Sequence, residues 1–393
     1  MENFTFYSPT FFSFGKKTES NVGELVKRFG GSNVLLHFGG KSAEKSGLLD
    51  KVRKSLKDEN INFTELGGVQ PNPRSDLVYE GIKISKQNGI NFVLAVGGGS
   101  VIDSAKAISI GIKYNGDFWD FFSKKAKIED ATPIGVILTI SAAGSEGSSN
   151  SVISHENGKL KRGTGSDLIR PKFAILNPEL TSTLPPYQVA CGGADIMSHL
   201  FERYFTNTKN VETTDRLIEG LLLSMLNELP IAVKNPADYN AQANIMWAGM
   251  LAHNNVCGVG RIQDWATHQI EHELSAMYDV AHGAGLSTIF PAWMKYTLKQ
   301  DINRFYQLAI RVFGIKDDNN KELVALSGIE KLKQFWSSLG LPISFKELGA
   351  KEEDISYMAQ HVNKNSLNGN GTGNFVVLNS KDIEEIYKIA AND

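Results

Sequence analysis

The chain has 393 residues, of which 41% are hydrophobic, and its 41 Lys and Arg nearly balance its 43 Asp and Glu, giving a formal net charge of −2. This balance argues against a nucleic-acid binder, whose affinity comes mainly from clustered basic charge. The length favours two domains with ample core and excludes a small fold held together by disulfides.

The first half of the chain alternates short apolar runs with helical patterns. Residues 47–56 and 101–107 space their apolar side chains as a helix does. Apolar runs without strict alternation, separated by helices, indicate a parallel sheet covered on both faces. We therefore predict an α/β domain over residues 1–182, with strands at residues 33–38, 91–96, 133–139 and 172–176.

The second half carries apolar residues at helical spacing and almost no strand signal. A connector at residues 181–186 ends in Pro185-Pro186, which is typical of a helix start. A Gly/Asn-rich loop at 369–373 precedes a last helix that starts near Ser380. We predict a helical domain over residues 183–393, with earlier helices at 189–204, 211–229, 239–255, 264–277, 301–313 and 328–339.

Cysteine usage and hydropathy predict a soluble, cytoplasmic protein. Cys191 and Cys257 lie far apart and outside any C-x-x-C spacing, which fits a reducing compartment. No stretch approaches the roughly 18 apolar residues of a membrane-spanning helix. The first lysines follow the N-terminal aromatic residues, the reverse of a signal peptide.

A glycine run follows the predicted strand at residues 91–96. Gly97, Gly98 and Gly99 would let the backbone approach a ligand, and the N–H groups of the helix that starts near Ser100 could bind a pyrophosphate. The run lacks the G-x-G-x-x-G pattern, so a plain tight turn is the alternative. We predict a phosphate cradle, which Ser100 and the following Asp103 favour.

A second glycine turn follows the strand at residues 33–38. An acidic residue here would bind the adenosine ribose and repel a 2′-phosphate, but the chain has Gly39, Gly40, Lys41 and Ser42. This predicts NADP(H) rather than NAD(H). The alternative is a solvated surface lysine beside an ordinary turn.

Histidines concentrate in one fifth of the chain. Asp195 and His199 are four residues apart in a predicted helix, so both can reach one cation, although such pairs are usually surface ion pairs. With His268 and two further candidates they form a plausible O/N site for Fe²⁺ or Zn²⁺. The spacing alone does not choose among the remaining histidines, His253, His272 and His282.

A nucleophilic enzyme is a poorer interpretation. Ser145 lies in Gly-Ser-Glu-Gly, which is not the G-x-S-x-G of a nucleophile elbow. The small polar residues from 141 to 151 suit a loop that lines a nucleotide cleft.

These motifs resemble the iron-activated (group III) alcohol dehydrogenase family, in particular its butanol dehydrogenase and NADPH-dependent aldehyde reductase branch. The resemblance implies a dehydroquinate synthase-like fold: a Rossmann-like dinucleotide-binding domain, a helical metal-binding domain, a cleft between them and commonly a homodimer. It is carried by Pro9-Thr10, GVQPNP at 68–73, GGGS with Asp103 and Lys106, residues 139–146, Asp195 with His199, QDWATH at 263–268 with His272, His282 and the late Gly-rich loop.

The resemblance also implies roles for individual residues. The metal ligands fall on Asp195, His199, His268 and His282, while His272 matches a proton relay and His253 matches no ligand. The family often has Gly where Lys41 stands, and usually Asp where Asn177 stands. The implied cofactor contacts are Gly39, Gly40, Ser42, Gly97, Gly98, Gly99, Ser100, Asp103, Thr139, Ser145 and Lys161. Lys41 departs from the family pattern, and we expect it to strengthen the phosphate site as a further contact.

The expected reaction is metal-dependent hydride transfer between NADP(H) and a primary alcohol or aldehyde such as butanol or butanal, with no nucleic-acid or membrane partner. Polarisation of the carbonyl by Fe²⁺ or Zn²⁺ and proton relay through His272 would complete it. Alternatives on the same fold are NAD-dependent polyol oxidation of the glycerol dehydrogenase type, a dehydroquinate synthase-like lyase, and a non-catalytic binding protein. The lyase would need a basic pocket, and residues 195–282 have few clustered Lys or Arg.

Overall fold

A computed structural model describes residues 1–155, 160–365 and 371–392, with only the backbone of residues 363–365. The chain divides into two compact units. One unit comprises Tyr7–Thr183, and the other comprises Met1–Phe6 together with Leu184–Asp393.

The first unit is built on a parallel sheet. Its strands are β1 (Phe11–Phe14), β2 (Asn33–Phe38), β3 (Asn62–Leu66), β4 (Phe92–Gly97), β5 (Ile134–Leu138) and β8 (Phe173–Leu176). Among the described residues the sheet has these six strands in the order β1-β8-β5-β4-β2-β3. Val34 of β2 pairs with Phe92 of β4, and Leu94 of β4 pairs with Gly135 of β5.

Helices cover the sheet because its central strands are apolar on both faces. Every residue of β4 is buried. Successive side chains of a strand point to opposite faces, so a wholly buried strand needs cover on both. Phe92, Leu94 and Val96 pack in one core cluster with residues of the helices Val22–Arg28 and Leu48–Asp58. The helices of this unit are α1 (Val22–Arg28), α2 (Ser42–Lys45), α3 (Leu48–Asp58), α4 (Ser75–Asn88), α5 (Gly99–Lys113) and α6 (Trp119–Phe122).

The strand order creates a switch point between β2 and β4. From β2 the chain moves outward to the edge strand β3, whereas from β4 it moves the other way to β5. In open parallel sheets, ligands bind at such a point, outside the carboxyl ends of the strands. The two glycine turns, at residues 39–40 and 97–99, are located at this point.

A small antiparallel pair of strands is attached to the first unit. It consists of β6 (Asn150–His155) and β7 (Leu160–Gly165). The backbone N–H of Ser154 donates to the carbonyl of Pro73 at 2.8 Å, and Lys161 Nζ donates to Asn72 Oδ1 at 3.0 Å. These bonds join the pair to the loop that precedes α4.

The second unit is helical and has its own core, in which Trp293 and Trp336 are fully buried. The N-terminal segment is tied to it, because the Met1 amino group donates to the Lys209 carbonyl at 2.9 Å. Its helices are α7 (Pro186–Tyr204), α8 (Glu212–Lys234), α9 (Tyr239–His253), α10 (Ala266–Tyr278), α11 (His282–Thr297), α12 (Ile302–Arg311), α13 (Lys321–Ser338), α14 (Phe345–Leu348), α15 (Ile355–Asn365) and α16 (Ser380–Asn392).

The predicted fold class, an α/β first half followed by a helical second half, is confirmed. Each of the four predicted strands is present. The last predicted helix does begin at Ser380, but residues 369 and 370 of the preceding loop lie outside the described residues. Within the described ranges, no helix is both long and apolar enough to cross a membrane.

Candidate metal centre and dinucleotide-binding turns

Helix α7 places three acidic or imidazole side chains on one side. Asp195, His199 and Glu202 are separated by four and three residues, so they lie on adjacent turns of the same helical face. All three are at most 5% exposed. Charged groups are rarely buried this deeply without partners, so this face of α7 requires compensation from other helices.

Helices α10 and α11 bring two more histidines to this face. Asp195 Oδ1 lies 3.6 Å from His199 Nδ1, 3.8 Å from His268 Nε2 and 3.9 Å from His282 Nε2. Two ligands that each lie about 2.0–2.2 Å from a zinc ion are at most about 4.4 Å apart. Each of these separations from Asp195 is short enough for a shared cation. Asp195, His268 and His282 form a set whose ligand atoms lie within 4.8 Å of one another, whereas His199 lies close to Asp195 but is not part of that set.

The hydrogen bonding of these atoms also fits a cation. Within the described part of the chain, Asp195 Oδ1, His199 Nδ1 and His268 Nε2 are buried and make no hydrogen bond. A buried polar atom without a partner costs about 1–3 kcal/mol, and more when charged, so three in one place call for a shared partner. The His282 side chain is 26% exposed, so the set is not sealed from solvent.

The other nitrogen of two of these histidines is held by a buried carboxylate. His268 Nδ1 donates to Glu202 Oε1 at 2.7 Å, and His282 Nδ1 donates to Glu271 Oε2. A donating Nδ1–H leaves the lone pair of Nε2 available to a metal. Sequence reasoning did not single out Glu202 or Glu271.

Burial and neighbouring charges set the protonation of the imidazoles. Burial, and then the nearby His253 and His268, hold the pKa of His199 well below its ordinary value. Burial also lowers the pKa of His268, but the carboxylates of Asp195 and Glu202 outweigh burial and raise this pKa to about 9. His199 is thus neutral near pH 7, as a ligand must be, whereas binding of a cation at His268 must displace a proton.

The two remaining histidines lie next to the predicted ligands. The ring of His272 is centred 5.7 Å from that of His282. The ring of His253 is centred 4.2 Å from that of His199, and Arg203 Nη2 donates to His253 Nδ1 at 3.2 Å. Both residues could therefore influence a bound group without being among the predicted ligands.

The start of α10, which presents His268, is fixed by two acidic residues. Glu202 accepts from the backbone N–H groups of Trp265 at 2.6 Å and His268 at 3.0 Å. Asp264 accepts from the backbone of Asn374 at 2.6 Å and of Phe375 at 2.7 Å, so residues 374–375 dock at this helix end. Burial, and then the Glu202 carboxylate, raise the pKa of Asp264.

In the first unit, the β4–α5 turn has the close packing expected of a phosphate cradle. A side chain at Gly98 would place its Cβ 2.1 Å from Ile140 Cγ2, so any larger residue would require Ile140 to move. The backbone N–H of Thr139 donates to the Gly97 carbonyl at 3.1 Å, which holds the end of β5 beside the turn. Helix α5 begins at Gly99 and directs its first N–H groups toward this turn.

Half-buried Asp103 and the buried Lys106 and Ser145 form one hydrogen-bonded network. Asp103 accepts from the Ser145 hydroxyl at 2.6 Å and from the Val152 N–H at 2.9 Å. Lys106 Nζ donates to the Ser145 carbonyl at 2.7 Å and to Ser148 and Asn150. Burial lowers the pKa of Lys106 to about 8 against the opposing pull of Asp103 and Glu146. This network holds residues 145–150 beside the start of α5.

The β2–α2 turn is open to solvent. Gly40, Lys41 and Ser42 are exposed, and a Cβ at Gly40 would meet no atom within 4 Å. The Gly68 N–H donates to the Gly39 carbonyl at 2.9 Å, which places the 68–73 loop alongside. Glu44 of α2 is held by two N–H groups of Arg53, each at 3.0 Å.

Comparison with known proteins places the chain in a family. Residues 9–178 match the model for iron-containing alcohol dehydrogenases, and residues 189–391 match the model for the C-terminal part of Fe-containing alcohol dehydrogenases. A probable NADH-dependent butanol dehydrogenase 2 of Bacillus subtilis is 42% identical, with 99% of each chain covered. The NADPH-dependent aldehyde reductase YqhD of Escherichia coli is 34% identical, covering 99% of this chain and all of the reductase.

A solved structure of a related enzyme supports the same family assignment. The NADH-dependent butanol dehydrogenase A of Thermotoga maritima is 41% identical and superposes with a TM-score of 0.97, covering 100% of this chain and 99% of the other. The chain therefore belongs to the iron-containing alcohol dehydrogenase family and is an NAD(P)-dependent oxidoreductase of alcohols and aldehydes.

Proposed function

We propose that this chain catalyses metal-dependent hydride transfer between NADP(H) and a primary alcohol or its aldehyde, such as butanol and butanal. The observation that carries the metal requirement is the convergence of Asp195 Oδ1, His199 Nδ1 and His268 Nε2, which are buried and make no hydrogen bond in the described ranges. The named relatives, butanol dehydrogenases and an aldehyde reductase, support the substrate class.

Asp195, His199, His268 and His282 would hold one divalent cation, Fe²⁺ or Zn²⁺. One carboxylate and three imidazoles suit either ion, so availability decides which is bound. The bound cation supplies Lewis-acid polarisation of the substrate oxygen, and the bound nicotinamide supplies or accepts hydride. The partial exposure of His282 is compatible with substrate access from its side.

His272 would relay the proton of the reaction. It is partly exposed and lies one helical turn from His268, with its ring centred 5.7 Å from that of His282. An imidazole in that position could exchange a proton between the substrate oxygen and solvent near neutral pH.

NADP(H) is proposed over NAD(H) because the β2–α2 turn offers a cation and a hydroxyl where an acid would select NAD(H). Lys41 and Ser42 are exposed and could contact a 2′-phosphate. The nearest carboxylate in sequence, Glu44, is bound by Arg53. The named relatives include both NADH- and NADPH-dependent enzymes, so the proposal of NADP(H) rests on the residues of this turn alone.

The remaining parts of the proposal concern organisation. Residues 1–182 would bind the dinucleotide through the predicted contacts and residues 183–393 would bind the metal. A cytoplasmic location is supported by Cys191 and Cys257, which are both buried and free. A homodimer is proposed on the family resemblance alone.

The metal assignment is tested by metal analysis of His268→Ala beside His253→Ala. Both variants remove an imidazole of the same cluster, but only His268 is assigned as a ligand. We expect His268→Ala to lose bound metal and activity together, and His253→Ala to retain one metal per chain. Stoichiometric metal in His268→Ala would refute the ligand set.

A further inference from the structure

We propose that Glu202 and Glu271 are positioning residues that aim Nε2 of His268 and His282 at the bound cation and thereby set the affinity for it. This inference rests on the metal site proposed above. It concerns two carboxylates that no motif singled out and that hydrogen-bond to the predicted histidine ligands.

Each carboxylate binds a histidine of another helix. Glu202 is on α7 and accepts from Nδ1 of His268 on α10 at 2.7 Å. Glu271 is on α10 and accepts from Nδ1 of His282 on α11. The same pattern occurs on both helices: Glu202 follows the predicted ligand His199 by three residues on α7, and Glu271 follows the predicted ligand His268 by three residues on α10. Each of these carboxylates holds a predicted ligand that lies on a different helix.

Both carboxylates are buried too deeply to be surface ion pairs. The side chain of Glu202 is 1% exposed and that of Glu271 is 0% exposed. In such a dry environment a charged hydrogen bond is strong and geometrically strict. Each acid is also fixed by further donors, Glu202 by the Thr267 hydroxyl and Glu271 by the Ser275 hydroxyl.

The packing of α11 leaves space for the Glu271 carboxylate. A Cβ at Gly285 would lie 2.5 Å from Glu271 Oε1 and 2.7 Å from its Cγ. Glycine at this position therefore allows Glu271 to reach across to His282, which begins the same helix.

The chemical consequence is a defined tautomer and a more basic ligand. When Nδ1 donates to a carboxylate, Nε2 carries the lone pair and the ring cannot rotate without breaking the bond. Loss of such a partner typically weakens metal binding 10- to 100-fold while all ligands are retained. Glu202 and Glu271 should thus change affinity and leave stoichiometry unchanged.

The test measures Zn²⁺ affinity by competition with a chromogenic chelator on metal-free protein. Glu271→Gln and Glu202→Gln remove the charge with little change in shape. Glu219→Gln is the matched control, because Glu219 is a buried acid of α8 that hydrogen-bonds Tyr204 at 3.0 Å and contacts no predicted ligand. We expect the dissociation constant for Zn²⁺ to rise 10- to 100-fold in the first two variants and to change less than threefold in the control. All three variants should still bind one zinc per chain at saturation.

A double mutant separates positioning from general structural damage. If Glu271 acts through His282, adding Glu271→Gln to a His282→Ala background should weaken Zn²⁺ binding no further. An additional loss of tenfold in that background would overturn the role. Because Glu202 also binds the start of α10, Glu271→Gln keeps the inference testable even if Glu202→Gln does not fold.

The same assay separates this inference from the proposed function. If His268→Ala loses Zn²⁺ affinity while both Gln variants bind as tightly as wild type, the metal site stands and the positioning role is wrong. If His268→Ala itself binds Zn²⁺ as tightly as wild type, the proposed metal site is wrong and the positioning role falls with it.

Discussion

Lys41 is the residue on which the cofactor preference depends most directly. Replacing it by Asp places a carboxylate where the adenosine 2′-phosphate would bind, and like charges repel. We expect kcat/KM for NADPH to fall at least tenfold, equivalent to about 1.4 kcal/mol, while kcat/KM for NADH is unchanged or rises. Steady-state kinetics with each cofactor at fixed butanal measures this.

A charge-matched control accompanies this variant. Lys57 is an exposed lysine near the end of α3, just before β3 begins. It is therefore near the amino ends of the strands, whereas the two glycine turns follow the carboxyl ends of β2 and β4. Lys57→Asp changes the net charge by the same amount but lies away from the two glycine turns. An unchanged NADPH-to-NADH ratio in Lys41→Asp, or an equal shift in Lys57→Asp, would contradict the assignment.

At the scale of residues, the sequence predicts the metal ligands better than the carboxylates that hold those ligands in place. The spacing of Asp195, His199 and His268 indicates a cation site. Family resemblance then selects His282 among the remaining histidines. Glu202 and Glu271 escaped because an acid in a helix usually faces solvent. The sequence feature that they share is that each follows a predicted ligand, His199 or His268, by three residues. This spacing indicates a role only once the position of the neighbouring helix is known.

A residue singled out by a motif can also have a structural role. Asp103 follows the glycine turn and is predicted to contact the cofactor. Its carboxylate also accepts hydrogen bonds from Ser145 and Val152 within the first unit. Its contact with a cofactor stays a prediction, whereas its contribution to holding the 145–150 loop follows from these bonds.

At the scale of elements, the approach of α11 to α7 is critical, because α11 begins with a predicted ligand. A Cβ at Gly283 would lie 1.9 Å from the Cys191 carbonyl oxygen, a backbone atom that cannot move aside. Gly283→Ala should push α11 away from α7 and separate His282 from Asp195. We expect a loss of about 1–3 kcal/mol in the free energy of unfolding, with weaker Zn²⁺ binding.

Gly220→Ala provides the matched control in urea denaturation and chelator competition. Gly220 lies in α8, where an added Cβ would meet no atom within 4 Å. Alanine there should raise stability by up to about 1 kcal/mol, because glycine disfavours a helix interior. Wild-type stability and Zn²⁺ affinity in Gly283→Ala would show that the helix contact is not required.

Elements with weak sequence patterns were not predicted. Strand β1 lies at the edge of the sheet and has exposed Phe11 and Phe14, so it lacks the burial pattern of a central strand. Strand β7 contains two glycines and no run of apolar residues. Helix α11 includes Gly283, Gly285 and Pro291, which interrupt helical propensity, and it is helical because it is buried against its neighbours.

At the scale of the whole molecule, the near-neutral composition conceals two local charge features that matter for function. One is the set of buried acids and histidines in the helical unit. The other is the exposed Lys41 at the β2–α2 turn, in a protein whose net charge is −2. Composition alone excluded classes of protein, whereas motif spacing and the strand order indicated where each ligand would bind.

The most direct test of the account is butanal reduction by protein freed of metal with a chelator and then titrated anaerobically with Fe²⁺ or Zn²⁺. Oxidation of NADPH and of NADH is followed separately. We predict no turnover without metal, activity that saturates at one equivalent per chain, and a higher kcat/KM for NADPH than for NADH. Full turnover by the metal-free protein would contradict the account.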